Sequence, residues 1–406
     1  MMKISLVLLV LITSYNYGIA GPWFQKSDFG GDARHRASSF SIGTRGYIGL
    51  GHINSGVDVD YEDFWQYDPA SDTWSQIANY PLGRCFHATQ FVIGSIAYVG
   101  TGRLENGSFT KQFFAYDPQT NIWSPIADYP GLARRGAVAF TLNGKGFVGT
   151  GQTTSGNSVD FYEYNPLSNT WLAKANLPGS PRTSSVAFSI DAFGYVGTGQ
   201  TNMGSVNDFY EYDPVLNLWT IKANVGTITR QEATGFVVNG MGYIGTGDDF
   251  SSGNNFGDFW EYDRILNTWT QIETFSGTAR RYLTSLVIGD RAYVGTGTNG
   301  TNFKDYWMFD QILSVLSRKM KEIDVLAFPN PTYELVTFEL GELPEYISPM
   351  NIELEIVSIS GAIVLKEKFE NTQLKINTSA FGKGMFIYRL SHKGEVFYSN
   401  KLLLTN

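Results

Sequence analysis

The chain of 406 residues contains a single cysteine, Cys85, and only four histidines. One cysteine cannot form an internal disulfide, so the protein must be stabilised by the burial of apolar groups. Charged residues make up only 17%, and acidic residues outnumber basic ones by 38 to 30, which gives a net charge of −8. This charge repels a phosphate backbone and no basic stripe occurs, so both features argue against nucleic acid as a partner.

The sequence also lacks an apolar run long enough to cross a membrane. The run at residues 4–12 follows Lys3 and has about half of the roughly 20 residues that a membrane helix needs. Small residues follow at Gly18 and Ala20, as in the cleavage site of a secretory signal. We predict a signal peptide at residues 1–20, export, and no transmembrane segment after cleavage; a membrane anchor is the alternative.

Aromatic residues and glycine are abundant, at 15% and 44 residues. A tryptophan recurs with a period of about 50 residues, which is typical of a repeat architecture. These tryptophans are Trp23, Trp74, Trp123, Trp171, Trp219 and Trp269. A segment such as DFYEYNP at residues 160–166 precedes each of the last five, and a glycine bracket such as Gly149-Thr150-Gly151 lies further upstream. Six copies of this pattern are present, and the sixth ends at Asp310 without a tryptophan.

Each copy contains four short runs of strand composition, which predicts one antiparallel sheet per copy. An isolated sheet of this kind leaves both apolar faces uncovered, so the six copies should pack face to face and close into a ring. The unpaired Trp23 before the first copy predicts that the N-terminal segment supplies the outer strand missing after Asp310. The sequence therefore predicts an all-β, six-bladed β-propeller at residues 21–310.

The Tyr-Asp-Pro segment that ends on tryptophan, the aromatic–aliphatic strand before paired glycines, and the arginine that opens each unit resemble kelch repeats. The resemblance covers about residues 22–310 and implies a kelch β-propeller. The adjacent Gly-Gly of that family is spaced here as Gly-Thr-Gly, as at residues 100–102, which still places glycine where the chain must turn.

After Asp310 the repeat pattern stops, and residues 311–324 are predicted to be a linker. Residues 325–406 alternate in the manner of a small immunoglobulin-like β-sandwich. The landmarks are Phe328-Pro329-Asn330-Pro331, Ile359-Ser360-Gly361, the strand around Tyr388 and a last strand with Lys401-Leu402. In order and spacing they resemble the C-terminal sorting domain of the type IX secretion system. That resemblance implies a Bacteroidota-type bacterium, passage across the outer membrane, and a secreted or cell-surface protein. The alternative is a generic immunoglobulin-like carbohydrate or spacer module.

Two rows of residues recur before the first strand of each copy. The first row consists of arginines, except that blade two has Cys85 with Arg84 beside it; its members are Arg34, Arg134, Arg182, Arg230 and Arg280. Such arginines bind backbone carbonyls or a neighbouring aspartate in one interpretation, and a carboxylate, sulfate or phosphate of a ligand in the other.

The second row lies two residues further along and differs in every blade. Its members are Arg36, His87, Gly136, Ser184, Glu232 and Tyr282. Residues two apart on a strand project to one side, so we expect this row to lie beside the arginines at one mouth of the channel. The predicted ligand-binding residues are Arg36, Arg84, His87, Glu232 and Tyr282 together with the arginine row.

We expect a binding module for a glycan or protein, acting through this mouth or through the polar loops such as residues 103–111 and 152–159. We expect a monomer without cofactor or metal. The enzymatic alternative has Glu232 and His87 as proton donor and acceptor on a sugar, which resembles the sialic-acid mutarotases. A copper site like that of galactose oxidase is disfavoured, because the histidines and Cys85 lack ligand spacing. The acidic stretch at residues 58–63 could offer carboxylates to calcium, but it lacks the glycine and the terminal glutamate of an ordered calcium loop, so a solvated loop is favoured.

Overall fold

The computed structural model describes residues 22–56, 58–250, 252–311, 314, 325–343, 348–392 and 395–405. The predicted signal peptide at residues 1–20 and almost all of the predicted linker lie outside this part of the chain. The described residues divide into two compact units, one within Pro22–Ile312 and one at the C-terminal end of the chain.

Six four-stranded antiparallel sheets form the first unit, and we call them blades one to six. From inner to outer edge the strands are, in blade one, Ser38–Ile42, Arg45–Gly49, Phe64–Asp68 and Thr73–Ile77; in blade two, Thr89–Ile93, Ile96–Gly100, Phe113–Asp117 and Ile122–Pro125; in blade three, Val138–Leu142, Lys145–Gly149, Phe161–Asn165 and Thr170–Lys174; in blade four, Val186–Ile190, Phe193–Gly197, Phe209–Asp213 and Leu218–Lys222; in blade five, Thr234–Val238, Met241–Gly245, Phe259–Asp263 and Thr268–Gln271; and in blade six, Thr284–Ile288, Arg291–Gly295, Tyr306–Asp310 and Trp23–Lys26. Each inner strand contacts the inner strands of the two neighbouring blades, and that of blade six contacts that of blade one. The ring is therefore closed, which confirms the predicted six-bladed propeller.

The N-terminal strand completes blade six. Trp23–Lys26 pairs antiparallel with Tyr306–Asp310, with Trp23 opposite Phe309 and Lys26 opposite Tyr306. The strand supplies the outer edge that the sixth repeat lacks. Hydrogen bonds between the start and the end of the repeat region thus hold the ring together.

The recurrent tryptophan joins each blade to the preceding one. The indole nitrogens of Trp123, Trp171, Trp219 and Trp269 each donate to a backbone carbonyl 44 to 46 residues earlier in the chain. Trp23 reaches the carbonyl oxygen of Glu273 in blade five in the same way, at 3.4 Å. This bridge between neighbouring blades explains the regular spacing of the tryptophans along the chain, because a partly buried indole N–H needs an acceptor.

The glycine that ends each second strand leaves room for an aromatic ring of the third strand of the same blade. A Cβ atom at Gly49 would lie 2.3 Å from the ring of Phe64, and one at Gly100 would lie 2.2 Å from the ring of Phe113. Any larger residue would displace an aromatic ring of the core. The glycine brackets of the sequence are therefore packing positions as well as turns.

Short two-residue strands form ribbons at the end of the ring where the inner strands begin. They are His52–Ile53 with Val59–Asp60, Cys85–Phe86 with Arg103–Leu104, Arg134–Arg135 with Gln152–Thr153 and Gly156–Asn157, and Arg182–Thr183 with Gln200–Thr201 and Gly204–Ser205. These ribbons contain members of the first arginine row and hold the chain immediately before the second row.

The C-terminal unit is a β-sandwich. One sheet consists of Val325–Phe328, Leu335–Leu340 and Gln373–Asn377, and the other of Ile363–Lys368, Ile352–Ser358, Gly384–His392 and Glu395–Leu404, with a 3-10 turn at Pro349–Asn351. Both sheets contribute to one core, which includes Phe338, Leu354 and Leu390. Asn330 of the Pro-Asn-Pro segment bonds through its side chain to the backbone of Lys401 and Leu403, which ties the start of this unit to its last strand.

Candidate functional site

The first row of arginines is buried in structural ion pairs. Each guanidinium group donates through both Nη atoms to the aspartate that directly precedes the third strand of its blade. The pairs are Arg34–Asp63, Arg134–Asp160, Arg182–Asp208, Arg230–Asp258 and Arg280–Asp305. Each Nη1 also donates to a backbone carbonyl 16 residues further on. Because these side chains are at most 1% exposed, the structure fits the interpretation in which the row binds backbone carbonyls and a neighbouring aspartate, and not the ligand-binding interpretation.

Arg84 belongs to the surface of blade two. It pairs with Glu105 at 2.8 Å, and about half of each side chain or more is exposed. Such a pair contributes little to stability or to binding. The structure therefore does not bring Arg84 into the cluster described below.

The second row, which we call the collar, places one residue from each blade in a series linked by backbone hydrogen bonds: Arg36, His87, Gly136, Ser184, Glu232 and Tyr282. All six residues have left-handed backbone conformations, with φ between 55° and 60°. From His87 to Tyr282, each backbone N–H donates to the carbonyl of the preceding collar residue at 2.8 to 3.1 Å. A left-handed conformation costs about 1–2 kcal/mol for a residue with a Cβ atom. The backbone hydrogen bonds between collar residues help to offset this cost.

The expectation that the two rows lie side by side on one strand face was wrong. The two-residue strands such as Arg134–Arg135 and Arg182–Thr183 end immediately before the collar. The positive φ of the next residue breaks the alternation of an extended strand, so residues two apart no longer project together. The residues between the rows reach the collar instead, and they include Arg135 and Arg281.

A continuous chain of polar contacts crosses the collar. Arg36 donates from Nη2 to the hydroxyl of Tyr282 at 2.6 Å, and that hydroxyl donates to Oε1 of Glu232. Arg281 lies 3.0 Å from Oε2 of Glu232 through its Nε, and 3.1 Å from Asp248 through Nη1. Both oxygens of the Glu232 carboxyl group are thus held by two consecutive residues that precede the inner strand of blade six.

Three histidines lie around this series of polar contacts and are uncharged near neutral pH. Burial, followed by the charge of Arg36, lowers the pKa of His35 to about 4 and the pKa of His87 well below its usual value. Burial and the neighbouring His35 lower the pKa of His52 to about 2. The rings of His35 and His52 are 4.1 Å apart, and His35 Nδ1 lies 2.6 Å from the side-chain oxygen of Asn302.

Glu232 titrates near neutrality. Its side chain is 10% exposed, and burial raises its pKa to about 7, although Arg36 and the hydroxyl of Tyr282 oppose the shift. Burial also lowers the pKa of Arg135, and the nearby Arg36 adds to that effect. The shifts show that guanidinium groups are crowded in a poorly hydrated place. The collar is therefore a positively charged site in which the Glu232 carboxyl group is about half protonated at neutral pH.

Several buried polar atoms of this cluster have no protein hydrogen-bond partner among the described residues. They are Nε of Arg36, Nδ1 of His52, Nδ1 of His87 and Oδ1 of Asp248. Buried polar atoms are nearly always paired in native proteins, so the unpaired atoms at this place are available to water or to a bound polar group.

The sequence analysis missed Arg135, Arg281 and Asp248 and considered His35 and His52 only as copper ligands. One signal was available. The position between the rows varies as strongly as the collar itself, with His35, Phe86, Arg135, Thr183, Gln231 and Arg281 in successive blades. Within the part of the chain that the structure describes, no group of three or more His, Cys, Asp or Glu side chains has the arrangement of a metal site.

Residues 326–405 match the family model of the secretion system C-terminal sorting domain. The sorting domain predicted from the landmarks is therefore confirmed, and it marks the protein for export by type IX secretion to the cell surface or the extracellular space. No helix among the described residues has the length and apolar character needed to cross a bilayer.

Among the solved structures that match, the "Structure of YjhT" aligns with a TM-score of 0.60 and 17% sequence identity. The alignment covers 70% of this chain and 96% of that chain. A likeness at this identity shows the fold alone, and the kelch resemblance of residues 21–310 stays a prediction. No curated protein sequence matches the chain.

Proposed function

We propose that this exported propeller is a carbohydrate-recognition module that holds the acidic group of a sugar at the collar. The main support is that Arg36, Arg135 and Arg281 lie together at the collar, next to buried polar atoms that have no protein partner among the described residues. A carboxylate or sulfate accepts hydrogen bonds from the planar guanidinium group of arginine and is stabilised by its charge.

The balance of charges supports an anionic ligand. The guanidinium groups of Arg36, Arg135 and Arg281 act electrostatically at this place, where the carboxyl groups are Glu232 and Asp248. Because burial lowers the pKa of each nearby histidine, these side chains are neutral and add no charge. A bound anion would offset the excess of guanidinium charge and would supply an acceptor for the free Nε of Arg36.

The low exposure of the collar side chains favours a small chemical group, rather than a protein surface, as the ligand of the collar. Tyr282 is 9% exposed, and His35 and His52 are less exposed than that. A flat protein partner would not reach these side chains, whereas the smaller acidic group of a terminal sugar could contact the partly exposed Arg36, Arg135 and Arg281. Neutral polar loops around such a mouth are also suited to sugar hydroxyls.

A second candidate function is anomer exchange of the bound sugar, and the pKa of Glu232 favours it. A carboxyl group with a pKa of about 7 is equally able to accept and to donate a proton at neutral pH. In this reaction the Glu232 carboxylate would take the proton of the anomeric hydroxyl while a water molecule donates a proton to the ring oxygen, and the bond between that oxygen and the anomeric carbon would break. After rotation of the carbonyl group the ring oxygen would close on its other face, and the two protons would return to the anomeric oxygen and to the water-derived hydroxide. This is the mutarotase alternative of the sequence analysis, now with Glu232 alone as the proton-transfer group.

The test is a titration of the full exported chain with glucuronate, galacturonate and N-acetylneuraminate, followed by calorimetry and by NMR of the sugar. We expect saturable binding of at least one of them, and a loss of about tenfold or more in affinity for Arg36→Gln, since one charge-assisted contact is worth about that much. The matched control is Arg84→Gln, which removes an arginine of the same propeller without touching the collar. Wild-type affinity in Arg36→Gln, or no binding of any acidic sugar, would contradict the proposal.

The same spectra decide between binding and catalysis. Faster exchange between the anomers that disappears in Glu232→Gln, with binding retained, would support the enzyme. Binding with the uncatalysed rate of exchange would support recognition alone.

A further inference from the structure

A second concave site lies beside the collar, on the ribbons of blades three and four. The walls of this cavity of about 330 Å³ come from Gln152 and Asn157 of blade three, Gln200 and Asn202 of blade four, and Phe250 of blade five. Its volume is in the range of small-ligand pockets. Three consecutive blades therefore contribute to one cavity.

The lining of this cavity is neutral and rich in side-chain amides. Each amide group offers both a donor and an acceptor, which matches neighbouring hydroxyl groups of a sugar ring. Asn157 is oriented by a 3.3 Å hydrogen bond from its Nδ2 to the carbonyl of Gln200. The side-chain amide of Gln200 itself has no partner among the described residues. None of the residues that line the cavity carries a charge.

The same cavity presents an apolar surface. Phe250 is 62% exposed and Met203 is 98% exposed, although both lie on the wall of a concave site. The backbone N–H of Phe250 donates to Oγ of Ser205 at 3.0 Å, so the loop of blade five is tied to the ribbon of blade four. The negative face of an aromatic ring attracts the C–H groups on the apolar face of a sugar.

One side chain connects the cavity with the collar. Gln152 lines the cavity, and its Oε1 accepts a 2.8 Å hydrogen bond from Nε of Arg135. Arg135 is followed in the chain by the collar residue Gly136, and its guanidinium group belongs to the electrostatic cluster of Glu232 and Tyr282. A ligand with two linked rings could therefore contact both places.

We propose that this cavity is a second carbohydrate subsite that binds a neutral sugar ring next to the acidic ring at the collar. The ligand of the propeller is then an oligosaccharide with at least one acidic and one neutral unit, and not a monosaccharide. This inference rests on the proposed function of the collar. It is favoured over a peptide because the cavity joins several amides to an exposed aromatic ring and offers no charged group for peptide side chains or termini.

The experiment compares each acidic monosaccharide with an oligosaccharide that contains it, using the full exported chain. The probes are N-acetylneuraminate against sialyllactose, and glucuronate against glucuronate linked to glucose. We expect the oligosaccharide to bind more tightly. Phe250→Ala and Asn157→Ala should each reduce its affinity by about tenfold and leave the monosaccharide affinity unchanged. Leu216→Ala, at an exposed outer turn of blade four, is the matched control.

The outcomes separate this subsite from the collar. Equal affinities for both probes, with no effect of Phe250→Ala, would overturn the subsite and leave the collar proposal intact. A neutral oligosaccharide such as lactose that binds in a Phe250-dependent way, without any binding of acidic sugars, would support the subsite and refute the collar. Binding of neither class, or displacement only by peptides, would overturn the carbohydrate assignment of the cavity.

Discussion

At the residue scale, blade two shows how the buried arginines work. Its first-row position is Cys85, and the position of the partner aspartate is Gln112, whereas the other five blades contain both charged residues. Either charge alone would be buried or half-buried without its counterion, which is strongly destabilising. The thiol of Cys85 lies 3.7 Å from the carbonyl of Thr101 and is itself buried. Blade two therefore lacks both members of the ion pair that the other five blades contain, as expected if neither charge is tolerated without the other.

We expect Asp160→Ala to reduce the free energy of unfolding by about 3–5 kcal/mol, because Arg134 would remain buried without its carboxylate. The matched control is Gln112→Ala at the equivalent position of blade two, where no arginine is present, and a change within about 0.5 kcal/mol is expected there. Urea unfolding followed by tryptophan fluorescence measures both. Equal midpoints for the two variants would refute a stabilising role of the pair.

A second prediction at this scale concerns acidification. The pKa of His35 is about 4 in the folded protein and about 6.5 in the unfolded chain, so the unfolded chain binds more protons between these values. Stability is then lost as the pH falls below about 6.5, by about 2 kcal/mol at pH 5 for a histidine of this kind. Glu232 acts in the opposite sense, because its raised pKa means that stability declines as the pH rises from about 4.5 to about 7.

We expect His35→Gln and His52→Gln to flatten the fall in melting temperature between pH 7 and pH 5, and Glu232→Gln to steepen it. Differential scanning calorimetry across this range measures the slopes. If all three variants follow the wild-type slope, then the folded-state pKa values of these side chains are close to their ordinary values and the collar is well hydrated.

At the element scale, the outer strands depend on the recurrent tryptophan. The indole of Trp219 in blade four donates to the carbonyl of Ala175 at 2.9 Å, which ties an outer strand to the chain that follows blade three. In each of blades two to five a side-chain asparagine near the tryptophan accepts a backbone N–H from the same segment, as Asn217 does from Ala175. Each of these four blades is thus fastened at its outer edge by two hydrogen bonds to its neighbour.

The N-terminal strand allows a test of this fastening. We expect Trp23→Ala to reduce the free energy of unfolding by about 3–5 kcal/mol, since Trp23 is 5% exposed and packs against Phe259, Phe275 and Phe309. Hydrogen exchange should increase first in blade six, at Tyr306–Asp310, and least in blade three. Exchange that rises equally in all blades would show that the ring opens elsewhere.

At the scale of the whole molecule, the chain combines a closed propeller with a separate sorting sandwich that has its own core. The sandwich accounts for export, and the propeller carries the collar at which we propose recognition. In the propeller, ring closure brings the six collar segments together at one end. Neither the collar nor its neighbouring cavity exists in a single repeat.

The sequence by itself determined the number of blades, the strand order within each, and the presence of the sorting domain. These features depend on local composition and on a period that is visible without coordinates. It also showed that the collar row varies between blades. The tertiary structure alone decided that the arginine row is sealed in ion pairs, that Arg135 and Arg281 reach the collar, and that burial raises the pKa of Glu232. The physical reason is that burial and charge at the collar are sums over residues from six blades, and only closure of the ring sets their distances.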